Sequence, residues 1–270
     1  MYQGKNWDYA AGILWPVLVQ AASNGRRFFY SDLSPLIDTN PLNVGKALGP
    51  IQDFCLDHDL PPLTVLVIGK ASKVPGSGFI AWDIEDLEQA MKLVFAENWS
   101  AIENPYGHFG PDDSRESLAD RLLKAPDTSG EIYRHVRDRG VAQRIFKAAL
   151  SEAYDHSCAF CGMTFTAALE GAHIIPWSMC TPEQKLDVRN GILLCATHHR
   201  LFDQKCMGVR ADFRIQHSDP EGEDEPYSEI DTALSIQLHG KLMRLPKNPS
   251  IRPSAELIAK RWKADGWDGE

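Results

Sequence analysis

No stretch of this chain reads as a membrane span. The apolar run Ala10 to Ala22 (AAGILWPVLVQAA) falls short of the roughly 20 residues a bilayer requires, and it follows Asp8 rather than a basic leader. It is expected to be a core helix of a cytoplasmic protein without a membrane partner. Internal repeats and long low-complexity tracts are also lacking, and 43% apolar with 24% charged residues is ordinary for a globular chain. Its 270 residues allow one large domain or two smaller ones. Basic charge is in deficit, with 28 Lys and Arg against 37 Asp and Glu. The net charge of −9 argues against a nucleic-acid partner until it is located: seven acidic residues lie between Asp219 and Asp231 (DPEGEDEPYSEID). From Lys241 to Lys263 there are seven Lys and Arg against the single Glu256, and local charge is what meets a phosphate backbone. Cysteines are few, at positions 55, 158, 161, 180, 195 and 206; without a secretory leader, clustered cysteines more often bind metal than pair.

Along the chain, residues 8 to 24 read as a helix, and Ser31 is placed to cap a short one through Leu33 and Ile37. Asn40-Pro41 breaks the chain, after which Val44, Leu48, Ile51 and Cys55 recur at helical spacing. Leu63 to Ile68 (LTVLVI) has a buried-strand pattern, Pro75-Gly-Ser-Gly78 signals a turn, and Phe79 to Trp82 is expected to return as a second strand. Three helices and a hairpin are the order of a winged helix-turn-helix, predicted over residues 1–102. In such a domain Asn43 and Lys46 would face the major groove while Lys70 and Lys73 on the wing follow the backbone. A dimerisation or scaffold role is the alternative. Phe29 to Leu48 also resembles the DNA-binding segment of alkyltransferase-like proteins through Tyr30-x-x-Leu33 and Val44-Gly-x-Ala-Leu48, without that family's reactive Pro-Cys-His-Arg motif.

Residues 103–135 are rich in Pro, Gly, Asp and Ser and read as linker around a short helix, Ser117 to Lys124. Ala142 to Tyr154 carries apolar residues on one helical face and leads into Cys158-Ala-Phe-Cys161. Cys195-Ala-Thr-His198 follows, and two such knuckles match the tetrahedral donor set of structural Zn²⁺, with Cys206 as a substitute ligand. The alternative is that the cysteines pack as small apolar side chains.

Between the knuckles stand Ala172-His-Ile-Ile-Pro-Trp177 and Asn190-Gly-Ile-Leu-Leu-Cys195, followed by His199-Arg-Leu-Phe-Asp203. In that order these segments resemble the HNH endonuclease family over residues 136–217, with an acidic loop and basic tail over 218–270. The leader Gln143-x-x-Phe146 and Tyr154-x-x-x-Cys158 resembles the restriction-type members. The resemblance implies an α+β chain whose C-terminal domain has the ββα-metal fold. It also implies a general base at His173, oriented by Asn190, and a catalytic Mg²⁺ or Mn²⁺ held by His199 and Asp203. Four residues apart on a helix, His199 and Asp203 share a face, and a carboxylate suits a hard ion. Histidine suits base chemistry near neutral pH. Ala172 stands where many members carry a further ligand, which leaves Asp203, waters, or Glu170 two residues earlier on the strand. Taken singly, His173 reads as a core histidine and His199 as a surface one. Trp177 reads as a packing residue, and Arg200 either reaches a phosphate or is an ordinary surface arginine.

The implied activity is hydrolysis of double-stranded DNA to 5′-phosphate and 3′-hydroxyl ends, in restriction or phage defence, with the N-terminal domain a candidate sensor of modified bases. A homodimer is attractive because one such site cuts one strand. Two other readings fit: a non-catalytic zinc-stapled DNA-binding regulator, and an RNA-directed nuclease toxin.

Overall fold

The computed structural model describes residues 5–136, 138–224 and 226–267. The chain divides into two compact units, Met1–Ser117 with Val136–Val141, and Leu118–His135 with Ala142–Glu270. The helices and strands follow in order as α1 (Trp7–Ser23), β1 (Phe28–Phe29), α2 (Tyr30–Leu33), α3 (Val44–Asp57), β2 (Val67–Ile68), α4 (Leu87–Ala96), α5 (Arg115–Lys124), α6 (Ser129–Val136) and α7 (Arg139–Ala153). Then come β3 (Leu169–His173), β4 (Gly191–Cys195), α8 (Ala196–Asp203), β5 (Met207–Val209), β6 (Ile215–His217), α9 (Glu229–Leu234) and α10 (Ala255–Asp265). Among the described residues no helix is long and apolar enough to cross a membrane.

In the first unit Asn6 caps α1 by accepting from the Tyr9 amide, and α1 runs through Pro16 without a break. Proline has no N–H, so the carbonyl four residues earlier, that of Gly12, loses its helical partner. The Asn104 side chain donates to that carbonyl at 2.9 Å. Tyr106 donates its hydroxyl to the Pro50 carbonyl at 2.6 Å, and Tyr106 and Phe109 are buried. The beginning of the expected linker therefore belongs to the core of this unit. Its polar composition signalled turns, and one of those turns carries Asn104, which supplies the donor that Pro16 lacks.

The expected wing is corrected. Leu63–Leu66 forms a short 3₁₀ turn, and only Val67 and Ile68 pair, in parallel with Phe28 and Phe29. Residues 79–82 form no strand. Their backbone is held by side chains instead: Gln52 donates to the Gly78 carbonyl at 3.2 Å and accepts from the Ile80 amide at 3.0 Å, while Tyr30 Oη accepts from the Gly76 amide at 2.9 Å. Every residue of Leu63 to Ile68 is buried, so the run carried no alternation to tell strand from 3₁₀ turn.

The second unit is built on an antiparallel hairpin. Leu169 pairs with Cys195 and His173 with Gly191 across β3 and β4, and α8 begins at the next residue. This strand–strand–helix succession is what the motif order implies. Helix α7 lies on the hairpin where side chains are missing. A Cβ on Gly191 would stand 2.5 Å from Phe146 Cζ and 2.8 Å from Leu150 Cδ1, and one on Gly171 would meet the same two side chains at 3.3 Å. Glycine is thus required by close approach at Gly191, where φ is an ordinary extended −137°. Strands β5 and β6 make a second antiparallel hairpin.

Candidate functional site

His173 ends β3 with its ring stacked on Phe146, centroids 4.1 Å apart and planes 16° from parallel, and edge-on to Trp177 at 5.4 Å. Its Nε2 lies 3.0 Å from the Lys185 carbonyl oxygen. A carbonyl only accepts, so Nε2 carries the proton and the lone pair of the neutral ring resides on Nδ1. The ring is therefore set in plane, tautomer and direction, as a proton acceptor requires.

Asn190 is wholly buried immediately before β4. Its side chain accepts from the Ile175 amide at 2.9 Å and donates to the Gln184 carbonyl at 3.1 Å and Cys180 Sγ at 3.2 Å. Its carbonyl also accepts from the Ile174 amide. It thus ties both ends of the 174–185 loop, which returns the Lys185 carbonyl to His173.

On α8, His199 stands between two carboxylates. Glu170 Oε2 lies 2.6 Å from Nδ1 and Asp203 Oδ2 lies 3.5 Å from Nε2. The expected shared face of His199 and Asp203 is present. Because Glu170 and Asp203 take opposite edges of the ring, all three do not converge on one ion as they stand. Ala172 is buried and Arg200 is exposed.

Behind α8 the two knuckles meet. Cys158, Cys161, Cys195 and His198 offer ligand atoms all within 4.8 Å of one another, a group able to hold a metal ion. Three thiols and an imidazole with separations of this size suit tetrahedral Zn²⁺. His198 Nδ1 faces Cys195 Sγ at 3.0 Å, while Nε2 lies 2.8 Å from the Leu234 carbonyl, which fixes Nδ1 as the coordinating nitrogen. The Cys161 contact draws the Cys158 thiol down to about 3, with His198 adding to the effect against burial, and the same contact pushes Cys161 up. The turn is closed by Gly162 at φ +77°. Cys206 stands outside this group, so its expected role as a substitute ligand is corrected. Position in the chain was its sole credential, and α8 carries the chain past the cluster before Cys206 is reached.

In the first unit Asn43 precedes α3 and gives its amide to Asn40, while Lys46 is exposed with Nζ 5.5 Å from the centre of the Trp7 ring. Lys70 and Lys73 are exposed on the 69–74 turn, with Lys73 Nζ 4.6 Å from the centre of the Phe29 ring.

Sequence reasoning missed two residues of the second unit. Arg261 on α10 is 8% exposed and donates to the Ile174 and Phe202 carbonyls at 3.2 and 3.3 Å while pairing with Asp265. It belongs to the basic tail by sequence, but its charge is directed inward. Lys185 joins the rings of Tyr133 and Trp177, and no motif marks it.

No curated protein and no solved structure matches the chain. The match that is found falls on the strand–strand–helix segment just described and carries with it nuclease activity and a nucleic-acid substrate as the general expectation. Residues 158–210 match the family model described as HNH endonuclease.

Proposed function

We propose that this chain is a metal-dependent endonuclease that hydrolyses phosphodiester bonds of double-stranded DNA, with His173 as general base. The observation that carries the reading is the coupling of strand to helix at one place: Glu170, three residues before His173 on β3, contacts His199, which faces Asp203 on α8. The pair His199 Nε2 and Asp203 Oδ2, 3.5 Å apart, offers nitrogen and oxygen donors on one side of the helix, a set that fits Mg²⁺ or Mn²⁺. Such an ion supplies charge neutralisation at the scissile phosphate and at the departing 3′ oxygen. Glu170 acts through the ring: by accepting from Nδ1 it keeps Nε2 turned toward Asp203. His173, with its lone pair on Nδ1, takes the proton from the attacking water. Asn190 positions that ring indirectly, through the loop that carries the Lys185 carbonyl.

The biological role that fits is restriction of foreign DNA. A cleft of about 340 Å³ in the first unit, lined among others by Tyr30, Leu48, Gln52, Thr64 and Phe79, supports recognition of a modified base there. Asn43, Lys46, Lys70 and Lys73 are the contacts proposed for the flanking DNA, Arg200 for the strand near the nuclease site, and a homodimer for cutting both strands.

Purified protein incubated with unmodified and 5-methylcytosine or hydroxymethylcytosine plasmid should nick DNA with Mg²⁺ or Mn²⁺ and not with EDTA. His173→Ala should be slower by about 10² to 10⁴, the usual worth of a positioned base. Absence of nicking on every substrate, or a His173→Ala protein as fast as the parent, overturns the reading.

A further inference from the structure

Lys185 is half-buried in the second unit, yet among the described residues no carboxylate lies within ion-pair distance of it. Its neighbours Glu183 and Asp187 are engaged elsewhere, Glu183 with Arg134 at 3.2 Å and Asp187 with Arg189 at 2.8 Å. What surrounds the Lys185 ammonium is aromatic. Its Nζ is 4.6 Å from the centre of the Tyr133 ring and 5.1 Å from that of Trp177, and it donates to Tyr133 Oη at 2.9 Å. The two rings stand edge to face, 5.8 Å apart. Ring faces stabilise a cation without neutralising it, and one hydrogen bond leaves two of the three ammonium N–H groups for other acceptors.

Lys185 also belongs to the surroundings of the base. Its own carbonyl holds His173 Nε2 at 3.0 Å, and Trp177 touches both the His173 ring and the ammonium. Among the described residues no carboxylate pairs with this cation, which is held in one place beside a proton acceptor and is open to an anion from outside. We infer that Lys185 binds a backbone phosphate of the strand being cut, beside the bond His173 serves. Tyr133 and Trp177 hold the ammonium in place, and the substrate supplies the counter-charge. The inference rests on the proposed nuclease reading and adds to it a substrate contact that is independent of the catalytic ion.

Binding in buffer without added Mg²⁺ or Mn²⁺ and without chelator, where no cleavage is expected and the cysteine cluster is left intact, tests it. Fluorescence anisotropy of the full chain with a labelled DNA duplex, and with a single-stranded RNA of equal length, is followed across a salt series for the parent, Lys185→Met and Lys185→Arg. Methionine keeps a long apolar side chain between the rings and loses the charge. Loss of one phosphate contact should flatten the slope of log K against log salt by about 0.9 on duplex DNA, or about 0.7 on a single strand. It should weaken duplex binding at 0.1 M salt about eightfold relative to 1 M salt. Lys185→Arg should keep the parental slope. On the parent itself, acylation of Lys185 by an amine-reactive ester, read by mass spectrometry, should fall when nucleic acid is bound; this readout applies equally if Lys185→Met does not fold. An unchanged slope in folded Lys185→Met, or unprotected Lys185 in the bound parent, overturns the inference. Parental binding to RNA in preference to the duplex instead overturns the DNA reading and leaves the Lys185 slope to be judged on RNA. Binding to neither overturns both.

Discussion

Two histidines adjoin at one peptide bond on α8, and their surroundings differ on every count. His198 is fully buried among three thiols, with its far nitrogen on the Leu234 carbonyl; His199 faces outward between Glu170 and Asp203. His198→Ala should therefore lower zinc content, measured by elemental analysis, and lower the melting temperature with it. His199→Ala should keep zinc and fold while nicking is lost. Equal loss of zinc in both proteins would refute this division. Asn190 makes a different prediction at the same scale. Asn190→Ala strands the buried Ile175 amide and Gln184 carbonyl, each worth about 1 to 3 kcal/mol when left unmade. Denaturant midpoints should fall accordingly, and nicking should fall with zinc retained, because the loop bearing the Lys185 carbonyl loses its tie.

The hairpin of β3 and β4 and the helix α7 act as one piece, and glycine decides how closely they pack. Gly191→Ala places a methyl against Phe146 and Leu150, and overpacking of this kind typically costs about 1 to 3 kcal/mol. Because Phe146 also stacks on His173, nicking should decline beyond what the loss of folded protein explains. Chemical unfolding of Gly191→Ala, compared with its rate per folded molecule, checks this; an unchanged midpoint would show that α7 can yield. The acidic stretch is an element with an unforeseen task. Ser228 and Asp231 cap α9 reciprocally, and the carbonyl of Leu234 at the end of α9 holds the His198 ring. Its charges lie on a segment that supports a member of the Cys/His cluster.

Across the whole molecule, the two units have separate supports. Their expected boundaries were residues 102 and 136, drawn from composition, whereas the compact units divide at Ser117 and interleave through Val136–Val141. The cysteine cluster lies wholly in the second unit, so chelation of zinc should reach that unit first. Hydrogen exchange with and without a strong chelator should show lost protection in β3, β4 and α8 while α1 and α3 keep theirs. Simultaneous loss in both sets would mean that the units unfold together.

The legible part of the sequence was local chemistry. Metal-ligand spacing is short range, so Cys158, Cys161, Cys195 and His198 could be read as knuckles, and the i to i+4 relation of His199 and Asp203 follows from helix geometry alone. Helices α1, α3 and α7 were readable because one face of each is apolar at a 3.6-residue period. Tertiary structure alone decided the rest. Residues 79–82 do not return as a strand because Gln52 and Tyr30 satisfy the neighbouring backbone, and Tyr106 and Phe109 are buried where Asn104 donates to the Gly12 carbonyl and Tyr106 to that of Pro50. Glu170 meets His199 across 29 positions of chain, and Lys185 reaches Tyr133 across 52. Contacts at such separations leave no period or spacing in the sequence, since they exist only once the chain has folded back on itself.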